Sequence, residues 1–81
     1  MMSKLKTEKH NEARLRLISD IFFELRFARG ETQQQVSNGI SNLHRNTISR
    51  IESTNPLNLI SLFKLADYYE IPISELFSHI E

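Results

Sequence analysis

The chain has 81 residues and 40% hydrophobic content, which suits one small domain with a single core and argues against a wholly disordered segment. It has no cysteine, which excludes a disulfide framework, a thiolate nucleophile and a cysteine zinc site; His10, His44 and His79 are too scattered for a metal cluster. No apolar run approaches the roughly 20 residues that cross a bilayer, and the N-terminus has no signal-peptide hydrophobic region, so a cytoplasmic chain without membrane contact is expected.

Ten basic residues balance ten acidic ones, but the balance is uneven along the chain. Residues 1–50 hold nine Lys or Arg against five Asp or Glu, whereas residues 51–81 hold one against five. The neutral total therefore hides a basic half suited to a polyanion and an acidic half that is not.

Residues 1–14, MMSKLKTEKHNEAR, are polar and weakly periodic. They are expected to be an arm or an extension of the first helix, with residues 15–81 forming the folded domain. From Leu15 apolar residues recur at helical spacing through Ile18, Ile21, Phe22, Leu25 and Ala28. Gly30 after Arg29 is a helix stop with a cation in the last turn. Thr32 opens a second helix, and Gln35 completes a T-x-x-Q capping box. Asn38 and Gly39 cut that helix short, and Ile40-Ser41-Asn42 reads as a turn. A third helix is expected from about His44 to Ile51, with Ile48 and Ile51 facing inward. Beyond the loop Ser53-Thr54-Asn55-Pro56, a fourth helix covers roughly Asn58 to Tyr69, apolar at Leu59, Leu62, Phe63, Leu65, Ala66 and Tyr69. Pro72 starts a fifth within its first turn, anchored by Leu76 and Phe77. No period-2 strand pattern and no repeat occurs, so the expected fold is an all-α bundle of five helices.

The stretch from Thr32 to Glu52, TQQQVSNGISNLHRNTISRIE, carries the most chemistry. It reads as two short helices split by a turn. Arg45, Asn46 and Arg50 share one broad face of the second, away from Ile48 and Ile51. Arg can grip guanine O6 and N7, Asn can grip adenine N6 and N7, and Thr47 suits a thymine methyl or a phosphate. A helix is also the element that fits a DNA major groove. An ordinary solvated face that happens to hold Arg and Asn is the plain alternative.

In order, the segments ELRFARG, TQQQV, HRNTISRIE, LFKLA and IPISELF resemble the Cro/cI-type helix-turn-helix proteins, the lambda repressor-like group also called XRE. The resemblance runs from about Ile18 to Phe77. It implies a five-helix DNA-binding domain whose helix-turn-helix is formed by helices two and three. By resemblance, Gln33 contacts a phosphate and braces the recognition helix, while Arg45, Asn46 and Thr47 meet bases. Arg50 reaches a base or a phosphate, and Arg26 pairs with Glu52 in a structural salt bridge between helices one and three. His44 is a capping or backbone-contacting residue, and Thr54 and Asn55 are candidates for phosphate contact. This chain departs from the family pattern by one extra residue near Ser41-Asn42 and by lacking the turn glycine. Asn42 is the residue best suited to a left-handed backbone there. With the longer turn, either Asn42 or His44 can cap helix three. The loop after Glu52 is one residue shorter than the family's and also lacks its glycine.

Some apolar residues exceed what five short helices need. Phe23 and Phe27, spaced i, i+4, either enlarge the core, pack against the N-terminal arm or form a partner surface. The resemblance places dimer contacts toward the C-terminal end, which favours Leu57, Ile60, Phe77 and Ile80. A sequence-specific, dimeric regulator of transcription that binds double-stranded DNA is thus the leading expectation. The alternative is a protein-interaction module, such as an antitoxin that neutralises a protein partner and binds DNA secondarily. An enzyme is not expected, for Ser49 and Ser61 have no base at motif spacing and no glycine-rich loop exists. No cofactor or small-molecule ligand is expected either.

Overall fold

The computed structural model describes residues 4–53 and 58–79, with side chains described from residue 11 onward. Five helices follow in order: α1 (Lys4–Arg29), α2 (Gln33–Asn38), α3 (Arg45–Ser53), α4 (Leu59–Tyr68) and α5 (Ile73–Ser78). No strand occurs among the described residues, and no helix there is long and apolar enough to cross a membrane.

α1 runs from Lys4, so the described part of the polar N-terminal stretch is the extension of the first helix and not a separate arm. Lys, Glu, Ala and Arg dominate this segment, and they are good helix formers that need no apolar stripe to propagate a helix already nucleated by packing downstream. The core contacts start later: Ile18 and Phe22 are buried, while every described residue before Ile18 is exposed or half-buried. A 26-residue helix is about 39 Å long, most of the molecule's 46 Å long axis. Ala28, on the apolar periodicity by spacing, is exposed.

Several helix ends are satisfied locally. Gly30 sits at φ +67° as α1 ends, with its N–H on the Phe27 carbonyl and the Glu31 N–H on that of Arg26. This is the paired-bond stop that a left-handed glycine allows. The Thr32–Gln35 capping box is present, with the Gln35 N–H on Thr32 Oγ1 at 3.1 Å and the Thr32 N–H on Gln35 Oε1 at 2.7 Å. α4 is capped by Asn58, whose side chain accepts the Ser61 N–H at 3.1 Å. Pro72 is the residue before α5 and not within its first turn. Its ψ of 143° is extended, and its carbonyl accepts the Leu76 N–H.

Val36, Ile48, Ile51, Leu62, Leu65, Ala66, Tyr69 and Leu76 close the core around Phe22, joined by Leu43 from the connection between α2 and α3. Leu43 carries no periodic signal, being one apolar residue among turn residues. It is buried because the chain reverses there and has to cover the ends of α2 and α3. On α4 the apolar stripe is wider than the core: Leu59 and Phe63 are 53% and 39% exposed, so they face away from it. Phe23 and Phe27 are 45% and 74% exposed, which excludes the core reading for that pair.

Two backbone positions give opposite predictions. Glu70 adopts φ +58° at the end of α4, with the Ile71 N–H on the Ala66 carbonyl and the Glu70 N–H on that of Asp67. A left-handed non-glycine residue costs about 1–2 kcal/mol, and glycine's extra unfolded freedom returns part of that. Glu70→Gly should therefore raise stability by about 0.5–1 kcal/mol in urea denaturation. Gly39 has an ordinary φ, but a Cβ there would lie 2.8 Å from Tyr68 Cε1. The Tyr68 hydroxyl is held by Glu31, so the ring has little room to yield. Gly39→Ala should lower stability by about 1–3 kcal/mol, the usual cost of overpacking, despite alanine's better helix propensity.

Candidate functional site

Glu52 lies on the inner edge of α3, 4% exposed at its side chain, and it is met there by Arg26 of α1. Arg26 Nε donates to Glu52 Oε2 at 2.8 Å and Oε1 at 3.1 Å, and Nη2 donates to Oε1 at 2.9 Å. Arg26 Nη1 also donates to the Glu31 carbonyl at 2.8 Å. The bond to Glu52 raises the guanidinium's pKa further, against the desolvation that would lower it. Gln33, the first residue of α2, adds a bond from Nε2 to Glu52 Oε1 at 3.2 Å. Three helices thus converge on one carboxylate. The rotation of α3 about its own axis is set by these directional bonds together with buried Ile48 and Ile51.

A second cluster fixes α4 to the segment between α1 and α2. The Tyr68 hydroxyl donates to Glu31 Oε2 at 2.7 Å, and this bond raises the Tyr68 pKa. The Arg29 guanidinium lies 5.1 Å from the Tyr68 ring centre and 5.2 Å from that of Tyr69, within cation–π range. Burial, aided by the nearby carboxylates of Glu52 and Glu31, raises the Tyr69 pKa and keeps its hydroxyl protonated.

The turn between α2 and α3 is held from both sides. Asn42 takes φ +57° in the left-handed region, the conformation expected for it from asparagine's tolerance of such a backbone. Ser37 Oγ donates to the Leu43 carbonyl at 2.6 Å, and Lys64 Nζ of α4 donates to the Asn42 carbonyl at 3.2 Å. α3 then begins at Arg45, with the His44 carbonyl accepting the Thr47 and Ile48 N–H groups. His44, and not Asn42, therefore occupies the N-terminal boundary.

This scaffold presents Arg45, Asn46 and Arg50 on the exposed side of α3, and His44 is exposed beside them. Thr47 is half-buried, closer to the core than Arg45, Asn46 and Arg50. Two open hollows lie along the α2–α3 surface. Gln34, Ser37, Ile40, Asn42, Leu43, His44, Arg45 and Asn46 line one; Arg26, Thr32, Gln33, Gln34 and Arg45 line the other. Neither lining contains a carboxylate. Gln34 and Arg45 are common to both and form the ridge between them. Sequence reasoning passed over Gln34, because three consecutive glutamines carry no sign of which one faces out. Gln33, expected at a phosphate, is half-buried and turned to Glu52, which fits its bracing role. Thr54 and Asn55 lie outside the described residues.

Of the residues expected at a dimer interface, Ile60 is 66% and Phe77 37% exposed, and Leu57 and Ile80 lie outside the described residues. Phe63 lies one turn from both Leu59 (i, i+4) and Ile60 (i, i+3), and all three are exposed, which widens the exposed apolar surface of α4. Phe23 and Phe27 stack on α1 with ring centres 6.2 Å apart. Compared with family models, curated proteins and solved structures, the chain matches none.

Breaking the three-helix junction has a calculable effect. Arg26→Ala would leave the Glu52 carboxylate without its strongest partner, and removing one member of a buried pair costs about 3–5 kcal/mol. Arg26 is 15% exposed, so a loss on the order of 3 kcal/mol is expected in chemical denaturation. Arg26→Lys should recover only part of it, because a point charge cannot reproduce the forked contact together with the Glu31 carbonyl bond.

Proposed function

We propose that the protein is a sequence-specific DNA-binding regulator of transcription with a lambda repressor-like helix-turn-helix formed by α2 and α3. The observation that carries this reading is the α2–α3 surface, where Gln34, Arg45 and Asn46 stand together in a setting without carboxylates. Glu52, the acidic residue of α3, is occupied by Arg26 and Gln33 and sets no free negative charge against a phosphate backbone. Arg45 and Asn46 supply the base-reading groups and Arg50, one turn on, a further contact.

A module this small reads few base pairs, so specificity calls for pairing. The exposed apolar residues Leu59, Ile60 and Phe63 of α4 and Phe77 of α5 supply the surface for a homodimer. A twofold axis would set two recognition helices about 34 Å apart, and the operator would be an inverted repeat. Regulation then follows from concentration and pairing.

A second reading is supported by a separate observation: Phe23 and Phe27 form an exposed aromatic stack on α1, outside that surface. A solvent-facing pair of this kind suits a protein partner, as in an antitoxin.

Selection from a random duplex DNA pool at near-physiological salt tests the first reading, with an inverted repeat as the expected product. Arg45→Ala should relax one or two base positions by about 1–3 kcal/mol of discrimination and leave the rest of the motif intact. Ile60→Asp should shift the protein toward monomer in sedimentation and weaken operator binding without loss of helicity. Recovery of DNA with no enriched motif would reduce the reading to backbone binding, and recovery of none would transfer the weight to the protein-partner reading.

A further inference from the structure

We infer that Gln34, on α2, is a base-reading residue that recognises an adenine beside the base pair gripped by Arg45. The inference rests on the DNA-binding reading and extends it from one helix to two.

Gln34 is exposed and lines both hollows together with Arg45, although eleven positions separate them in the chain. Its carboxamide is already oriented: Nε2 donates to Asn38 Oδ1 at 3.0 Å, one turn further along α2. That bond uses one N–H. The second N–H and Oε1 remain to donate to N7 and accept from the N6 amino group of an adenine, the two-point contact a carboxamide makes in the major groove. Pre-orientation reduces the rotamer freedom lost on binding, which is large for a free glutamine. Gln33 is the weaker candidate, for its Nε2 is engaged with Glu52. Asn46 lines only one of the hollows, whereas Arg45 lines both with Gln34.

Gln34 and Arg45 therefore read neighbouring base pairs. The rigidity of the α2–α3 connection, secured at Asn42, Leu43 and Glu52, keeps the two readers in fixed register.

Parallel selections from a random duplex pool with the wild-type chain, Arg45→Ala, Gln34→Ala and Gln34→Glu test the inference. The wild-type motif should specify an adenine next to the position that Arg45→Ala relaxes. Gln34→Ala should keep the rest of the motif and lose roughly 5- to 150-fold of discrimination at that adenine, with an unchanged salt dependence. Gln34→Glu should move the preference there from adenine toward cytosine, whose amino group a carboxylate can accept. Retention of the adenine by either variant overturns the inference. So does an equal loss on all sequences with a shallower salt slope, which would make Gln34 a phosphate contact. If the wild type enriches no motif, the DNA-reading proposal itself fails, an outcome distinct from failure at Gln34 alone.

Discussion

The geometry of this domain depends on one carboxylate. Glu52 receives Arg26 from α1 and Gln33 from α2 while belonging to α3, so the three N-terminal helices share a single polar junction. Hydrophobic burial is non-directional, and Ile48 and Ile51 can set how deeply α3 sits without fixing how it is turned. Hydrogen bonds to a planar guanidinium are directional. A buried ion pair is weak evidence for stability, because apolar residues of similar volume often serve as well. Here its evident contribution is orientation. The pair also leaves the surface electrostatics of α3 to Arg45 and Arg50, since its carboxylate is already matched.

The far side of the domain is organised by a different kind of contact. Arg29 rests against Tyr68 and Tyr69, Tyr68 bonds to Glu31, and the close approach of the Tyr68 ring to Gly39 joins α4 to the end of α2. Lys64 continues this line to the Asn42 carbonyl. The turn is thus held on both flanks. A pair of short helices held this firmly presents its side chains as one surface, and recognition through α2 and α3 together becomes reasonable.

The apolar residues left outside the core fall into two groups, one on α1 and one on α4 and α5. A chain of this length has limited interior, and α1 and α4 each carry more apolar residues than one face can bury. The acidic C-terminal half, unsuited to a polyanion, is where the larger group lies.

The sequence alone determined the five helices, the capping box at Thr32, the stop at Gly30, and the inward set of Ile48, Ile51 and Leu62. These depend on local spacing and local backbone chemistry, which are written in consecutive residues. The exposed trio Arg45, Asn46 and Arg50 was legible for the same reason, whereas the left-handed backbone at Asn42 was expected through the resemblance and asparagine's tolerance of it. The Arg26–Glu52 pair came through resemblance and not spacing, since 26 positions separate its members. Tertiary structure alone decided that Phe23, Phe27, Leu59 and Phe63 face outward, because i, i+4 periodicity describes a stripe and not what covers it. It decided that Leu43 is core, that Gln33 turns inward and that Gln34 lines the same hollows as Arg45. It also assembled the Arg29–Tyr68–Glu31 cluster. Each of these depends on which helix lies opposite, a long-range fact that no local pattern contains.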